Sequence, residues 1–79
     1  MPRFYFHYQD GSSRTPDSEG MNLPDAEAAW YQGVRTAREL IRERIGGGCL
    51  HPSQRFEIED EQGRPVLAVP FEEVIGLAS

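Results

Sequence analysis

One long amphipathic segment, residues 23–48, limits the folds that are open to this chain of 79 residues. A helix can begin there at Pro24 or Asp25, and the glycines of 46–48 favour a cap after its last turn. At 100° per residue, its apolar side chains fall on one stripe of roughly 140°. The stripe consists of Ala26, Ala29, Trp30, Gly33, Val34, Ala37, Leu40 and Ile41. A single helix with one apolar side needs another element of the fold to cover that side.

The chain begins with RFYFHY, which alternates with the period of a strand. Phe4, Phe6 and Tyr8 share one side of this strand, and we expect them to pack beneath Trp30 of the helix. Tyr5 and His7 then lie on the opposite side. The first strand therefore places aromatic rings on both faces of the predicted sheet.

Turn signals predict one hairpin before the helix and one after it. Asp10 and Gly11 mark the first turn, and Pro16 makes the return segment a short or irregular strand at an edge. RFEIED and PVLAVPF flank the turn EQGR and form the second hairpin. After Pro70, FEEVIG predicts a closing helical turn.

The predicted fold is a single small α+β domain over residues 1–79, with the order β-β-α-β-β. Two hairpins form one antiparallel sheet, and the long amphipathic helix lies across one of its faces. A chain of this length builds one modest core, which typically supplies no more than ~3 to 5 kcal/mol of net stability. The pattern leaves open whether the first strand lies beside the third or the fourth, and no helix remains to cover the second face.

Charge and cysteine usage exclude several classes of protein. The net charge of −5 disfavours general nucleic-acid binding, which depends on cations that meet phosphates. Cys49 is the single cysteine, so no intrachain disulfide forms, and a reducing compartment fits best. No window approaches ~18 apolar residues, so we expect a cytoplasmic protein without membrane contact.

Few side chains suit catalysis or metal binding. Cys49, His51 and His7 cannot supply four ligands for a structural zinc site, so no metal or cofactor is predicted. Ser12 with His7 and Asp10 is the one cluster with the local reach for nucleophilic catalysis. A two-layer domain of this size favours no deep pocket, so we expect neither an enzyme nor a small-molecule substrate. A small enzyme at these three residues stays as the second alternative.

The outer side of the helix carries an aromatic residue and three guanidinium groups. Tyr31, Arg35, Arg38 and Arg42 follow one another at spacings of four, three and four. One interpretation is a solvated face on which Arg35 pairs with Glu39. The other is a basic stripe that binds an acidic protein surface or a nucleic-acid backbone, and the net negative charge favours the protein.

The uncovered sheet face is the main candidate interface. Tyr5, His7, Val66 and Ala68 share it, and exposed aromatic side chains near arginine are typical of interface cores. Ordinary amphipathic strands would show the same pattern. We predict a non-enzymatic interaction or regulatory module that binds a protein partner or itself, as a homodimer, through this face. A nucleic-acid-associated protein using the helix stripe is the first alternative.

The opening MPRFYFH and the closing DEQGRPVLAVPF resemble a family of short bacterial proteins known only as a domain of unknown function. The resemblance extends over nearly the whole chain and departs from the family pattern in the linker GGGCLHPSQ. It implies a small α+β domain and supplies no catalytic residues. A role for Cys49 or His51 therefore stays open.

Overall fold

The computed structural model of the protein describes residues 2–45 and 54–78. Its elements in chain order are β1 (Arg3–Asp10), β2 (Ser13–Thr15), β3 (Met21–Asn22), α1 (Ala26–Ile45), β4 (Gln54–Glu59), β5 (Pro65–Pro70) and α2 (Phe71–Ala78). The predicted α+β arrangement and the closing helix after Pro70 are confirmed. Cys49, His51 and the glycine cap predicted at 46–48 lie outside the described residues.

The strands form one antiparallel sheet in the order β2-β1-β4-β5, with β3 also paired to β1. The register of β1 on β4 runs from Tyr5 opposite Glu59 to Asp10 opposite Gln54. The first strand therefore lies beside the third predicted strand, RFEIED, which settles the alternative that the sequence left open. Tyr5 and His7 consequently sit beside the acidic side chains of β4.

The second predicted strand is short and irregular, as expected, and is divided into β2 and β3. The ladder to β1 stops at Thr15 and resumes at Met21. Pro16 follows β2 directly and has no N–H to donate to a ladder. Residues 16–20 therefore leave the edge of the sheet, and this departure shapes the surface described below.

Helix α1 begins at Ala26 because Asp25 caps it, with the Asp25 Oδ1 accepting the N–H of Ala28 at 2.8 Å. Gly33 lets the helix lie close to the sheet, since a Cβ at that position would stand 2.9 Å from Val69 Cγ2. Ala26 itself is exposed, contrary to its place in the predicted stripe, because burial begins at Ala29. The first buried side chain of the helix is therefore that of Ala29.

The core lies between α1, α2 and the inner face of the sheet. Its buried apolar side chains are Phe4, Ala29, Val34, Ala37, Ile41, Phe56, Ile58, Val69, Phe71 and Val74. Phe6, Tyr8 and Trp30 are partly buried and pack against this cluster. The inner faces predicted for the first strand and for RFEIED are thus confirmed. Within the described residues, neither helix is long and apolar enough to span a bilayer.

Candidate interaction surfaces

The sheet face away from α1 is built by side chains that lie directly opposite each other on β1 and β4. The pairs are Tyr5 with Glu59, His7 with Glu57 and Gln9 with Arg55. Ala68 of β5 lies opposite Glu57, and both Ala68 and Val66 are exposed. The four residues predicted for this interface thus come from β1 and β5, with the acidic side chains of β4 between them.

Residues 16–20 cross this face and cover its β1 half. The backbone N–H of Asp17 donates to His7 Nδ1 at 3.0 Å. Gly20, at a φ of +71°, leaves no room for a side chain, because its Cβ would stand 3.0 Å from Tyr5 Cε2. His7 is consequently only 9% exposed and Tyr5 is half-buried. The prediction that the rings of Tyr5 and His7 are exposed was wrong. After the strand ends before Pro16, residues 16–20 pass over both rings and cover them.

The Asp17 carboxylate accepts a β1 hydrogen bond at the point where the edge strand is interrupted. Its Oδ2 accepts the N–H of Phe6 at 3.1 Å, and its Oδ1 accepts those of Glu19 and Gly20 at 3.1 and 3.2 Å. Burial raises the pKa of Asp17, but the N–H groups of Phe6, Gly20 and Glu19 outweigh it and hold the pKa below its ordinary value. A side chain thus satisfies a backbone donor that the interrupted ladder leaves unpaired.

Hydrogen bonds and ion pairs connect the remaining polar groups of the sheet face. The Nε2–H of His7 donates to Glu59 Oε1 at 3.0 Å, and Arg14 of β2 forms ion pairs with both Glu57 and Glu59. Arg55 Nη2 reaches Glu57 Oε2 at 3.0 Å. The hydrogen bond from Arg55, and then that from Arg14, lowers the pKa of Glu57 against the opposing effect of burial. Acidic and basic side chains on this face are therefore matched to each other.

The possible catalytic cluster of His7, Asp10 and Ser12 is not assembled. His7 Nδ1 accepts the Asp17 N–H, so the imidazole proton is on Nε2, facing Glu59. Asp10 lies three residues further along β1, so its side chain leaves the opposite face, where it receives the Tyr8 hydroxyl at 3.5 Å. Among the described residues, no group of three or more His, Cys, Asp or Glu side chains is placed to hold a metal ion.

The outer side of α1 differs from the sheet face. Tyr31 is 62% exposed, and Arg35, Arg38 and Arg42 are all exposed. In the described part of the chain, no ion pair within 4.0 Å joins these three guanidinium groups to a carboxylate, so the possible pair with Glu39 is not formed. The predicted stripe therefore exists, and its charges have no ion-pair partner in the part of the chain that the structure describes.

A groove of about 620 Å³ lies at the start of this stripe, lined by Trp30, Tyr31, Val34, Arg35 and Arg38. The rings of Trp30 and Tyr31 meet edge to face, with centroids 5.2 Å apart. The apolar stripe of the sequence predicts Trp30 and Val34 as core residues alone, so the groove was not predicted. The sequence feature that indicates the groove is the position of Trp30 beside Tyr31, where the apolar stripe of the helix meets its basic stripe.

These features define a class: a small two-layer α+β domain whose sheet face is internally paired and whose helix carries basic side chains that form no ion pair within the described residues. The model of a family described as a domain of unknown function (DUF6894) matches residues 3–72, so this chain belongs to that family. The resemblance inferred from the opening and closing motifs is thereby confirmed. No curated protein and no solved structure matches the chain.

Proposed function

We propose that this protein is a non-enzymatic module that binds another protein and acts through that interaction. The observation that supports this most directly is the unpaired charge on α1. Arg35, Arg38 and Arg42 are exposed and make no ion pair within the described residues. Guanidinium groups without a partner keep five N–H donors each available for a carboxylate of another molecule.

The groove beside the stripe adds an apolar component to this surface. Trp30, Tyr31 and Val34 bring aromatic and aliphatic atoms next to two of the arginines. Tyr, Trp and Arg are the side chains most enriched among residues that dominate binding energy at protein interfaces. The net charge of −5 favours a partner with a few carboxylates over a densely charged polyanion. We place the protein in the cytoplasm, where a lone thiol stays reduced.

Affinity capture from native lysate, with nuclease treatment, tests this proposal. The double variant Arg35→Gln and Arg38→Gln should lose the captured protein. The matched control, Arg14→Gln with Arg55→Gln, removes the same charge from the sheet face and should keep it. Equal capture by both variants, or the absence of any stoichiometric protein with the wild type, would overturn the proposal.

Self-association through the sheet face would use a smaller surface than the sequence predicts. Tyr5 and His7 lie beneath residues 16–20, so Val66 and Ala68 are the part of the predicted homodimer interface that stays accessible. Val66 is 37% exposed and borders a shallow depression of about 340 Å³ that also includes Glu57 and Glu59. We propose that a second copy contacts this β5 edge.

Light scattering of the purified protein tests the homodimer. Val66→Glu should convert a dimer to a monomer, because it adds a charge beside two carboxylates. Gln62→Glu adds the same charge in the neighbouring turn and should leave the dimer intact. A wild-type protein that is monomeric at micromolar concentration would contradict this part of the proposal.

Nucleic-acid binding is the second candidate, favoured by one observation: aromatic rings lie beside guanidinium groups, a combination that binds single strands by stacking and charge. Binding of a single-stranded RNA at low salt, where attraction is strongest, would support it. No binding under that condition would remove it. A small enzyme at His7, Asp10 and Ser12 remains a prediction without geometric support.

A further inference from the structure

The outer side of α1 matches an acidic helix in its spacing as well as in its charge. This inference rests on the proposed function and specifies the partner. Along α1, Arg35 and Arg38 are separated by about 4.5 Å of helix axis, and Arg38 and Arg42 by about 6 Å. A second helix has the same rise per residue, so three of its side chains repeat these two steps when it runs antiparallel to α1. Those side chains stand at positions i, i+4 and i+7.

The groove supplies the fourth contact at the same spacing. Tyr31 comes one helical turn before Arg35, so position i+11 of an antiparallel helix would reach the groove. Val34 lines the groove and is 5% exposed, while Trp30 is half-buried. The groove therefore has aromatic and aliphatic atoms that can cover an apolar side chain. Its guanidinium groups are those of Arg35 and Arg38, which belong to the stripe.

We propose that α1 binds an acidic amphipathic helix of another protein. Carboxylates at i, i+4 and i+7 of that helix contact Arg42, Arg38 and Arg35, and an apolar side chain at i+11 occupies the groove. Each carboxylate gains charge-assisted hydrogen bonds from a guanidinium group that has no partner in the described fold. The apolar contact fixes the register of the partner helix on α1, because a shift of one turn would move the apolar side chain away from Trp30.

The acidic side chains of β4 and α2 do not fit this surface. Glu57 and Glu59 are already engaged by Arg14, and they lie on a strand. Glu72 and Glu73 of α2 are adjacent in sequence, so they point in different directions around that helix. Double-stranded nucleic acid carries a charge about every 1.7 Å, and the net charge of −5 opposes such a polyanion more than a helix with three carboxylates. These two acidic segments are therefore not the partner, and we assign the acidic helix to a different protein.

Trp30 is the single tryptophan of the chain, so its fluorescence reports directly on the groove. The probe is an alanine-based helical peptide with Glu at i, i+4 and i+7 and Leu at i+11. Titration should shift the Trp30 emission and saturate. Replacing the three Glu by Gln, or scrambling the same residues to destroy the spacing, should weaken binding by about tenfold or more. Replacing Leu by Ala should remove most of the emission shift.

Protein variants complete the test. Arg35→Gln with Arg38→Gln should reduce peptide affinity as strongly as the Gln peptide does, while Arg14→Gln with Arg55→Gln should bind like the wild type. Equal binding of the matched and scrambled peptides would overturn the acidic-helix inference, even where lysate capture still yields a partner that depends on Arg35. Tighter binding of a single-stranded oligonucleotide than of any peptide would also overturn it, in favour of nucleic acid.

Discussion

The sheet face and the outer side of α1 both carry arginine, but the two surfaces use it in opposite ways. Arg55 contacts Glu57 two residues along the same strand, and Arg14 of β2 reaches Glu57 and Glu59 of β4 across β1, because these side chains share one face of the sheet. On α1, Arg38 has only neighbours three or four residues away, and it forms no ion pair within the described residues. The difference shows that what a charged residue does here depends on the element that supplies its neighbours.

Replacing Asp17 should produce the largest loss of stability, because it removes acceptors that hold residues 16–20 over the sheet. Asp17→Asn keeps the shape but loses the charge and one acceptor oxygen. We expect the free energy of unfolding at pH 7 to fall by about 2 kcal/mol, measured by urea denaturation. Asp10→Asn, which changes the acceptor of the long Tyr8 hydroxyl contact at 3.5 Å, should change it by about 0.5 kcal/mol or less.

The contribution of Asp17 should also depend on pH. The folded-state pKa of Asp17 is lower than the unfolded one, so its stabilisation is fully present above the ordinary aspartate pKa of about 3.9. It should disappear as the pH falls through the folded-state pKa. The difference in unfolding free energy between the wild type and Asp17→Asn should therefore shrink below about pH 4. A difference that grows in acid would contradict the assigned role.

The inner side of α1 gives the next largest effect. Gly33→Ala places a Cβ 2.9 Å from Val69 Cγ2 and 3.3 Å from Ile58 Cδ1, in a packed core. The cost of overpacking, about 1 to 3 kcal/mol, should exceed the helix-propensity gain of about 1 kcal/mol. We expect net destabilisation in thermal and urea unfolding. Gln32→Ala, one residue earlier on α1, should be close to neutral, and a stabilised Gly33→Ala variant would show that the two layers are not in close contact.

Removing one paired arginine from the sheet face should have a smaller effect. Arg14→Gln loses the ion pairs to Glu57 and Glu59, which are partly exposed, so the expected cost is about 0.5 to 1 kcal/mol. Salt screens such pairs, so the difference from the wild type should decrease towards zero at about 1 M NaCl. A cost that is independent of salt would indicate that packing of the side chain, and not its charge, is what matters.

The smallest effect on stability should come from the helix stripe. Arg38→Gln removes an exposed guanidinium group that has no ion-pair partner among the described residues, and the unfolding free energy should change by about 0.5 kcal/mol or less. Binding of the acidic peptide should nevertheless weaken measurably. A stability loss equal to that of Arg14→Gln would show that Arg38 has a structural partner, and the contrast between the two surfaces would then fail.

The sequence was sufficient to predict the layers, because the period-two and helical patterns mark which side of each element is apolar. It also identified the exposed stripe on α1, since Tyr31 and the arginines follow one side of the helix. The path of residues 16–20 was not predictable in this way. Pro16 indicates a break in the strand. The hydrogen bonds of Asp17, whose N–H donates to His7 Nδ1 and whose carboxylate accepts the Phe6 N–H, depend on the tertiary fold and have no signal in the sequence. The groove at Trp30 was missed because a half-buried tryptophan has the same pattern as a core residue.

Urea unfolding of two double variants, side by side, tests most directly whether the fold depends on one set of arginines and not on the other. The expected result is a loss of about 1 kcal/mol or more for Arg14→Gln with Arg55→Gln. Arg35→Gln with Arg38→Gln should stay within about 0.5 kcal/mol of the wild type. The reverse order, or equal losses, would contradict the account, because the arginines of α1 would then be part of what stabilises the fold and not a surface available to a partner.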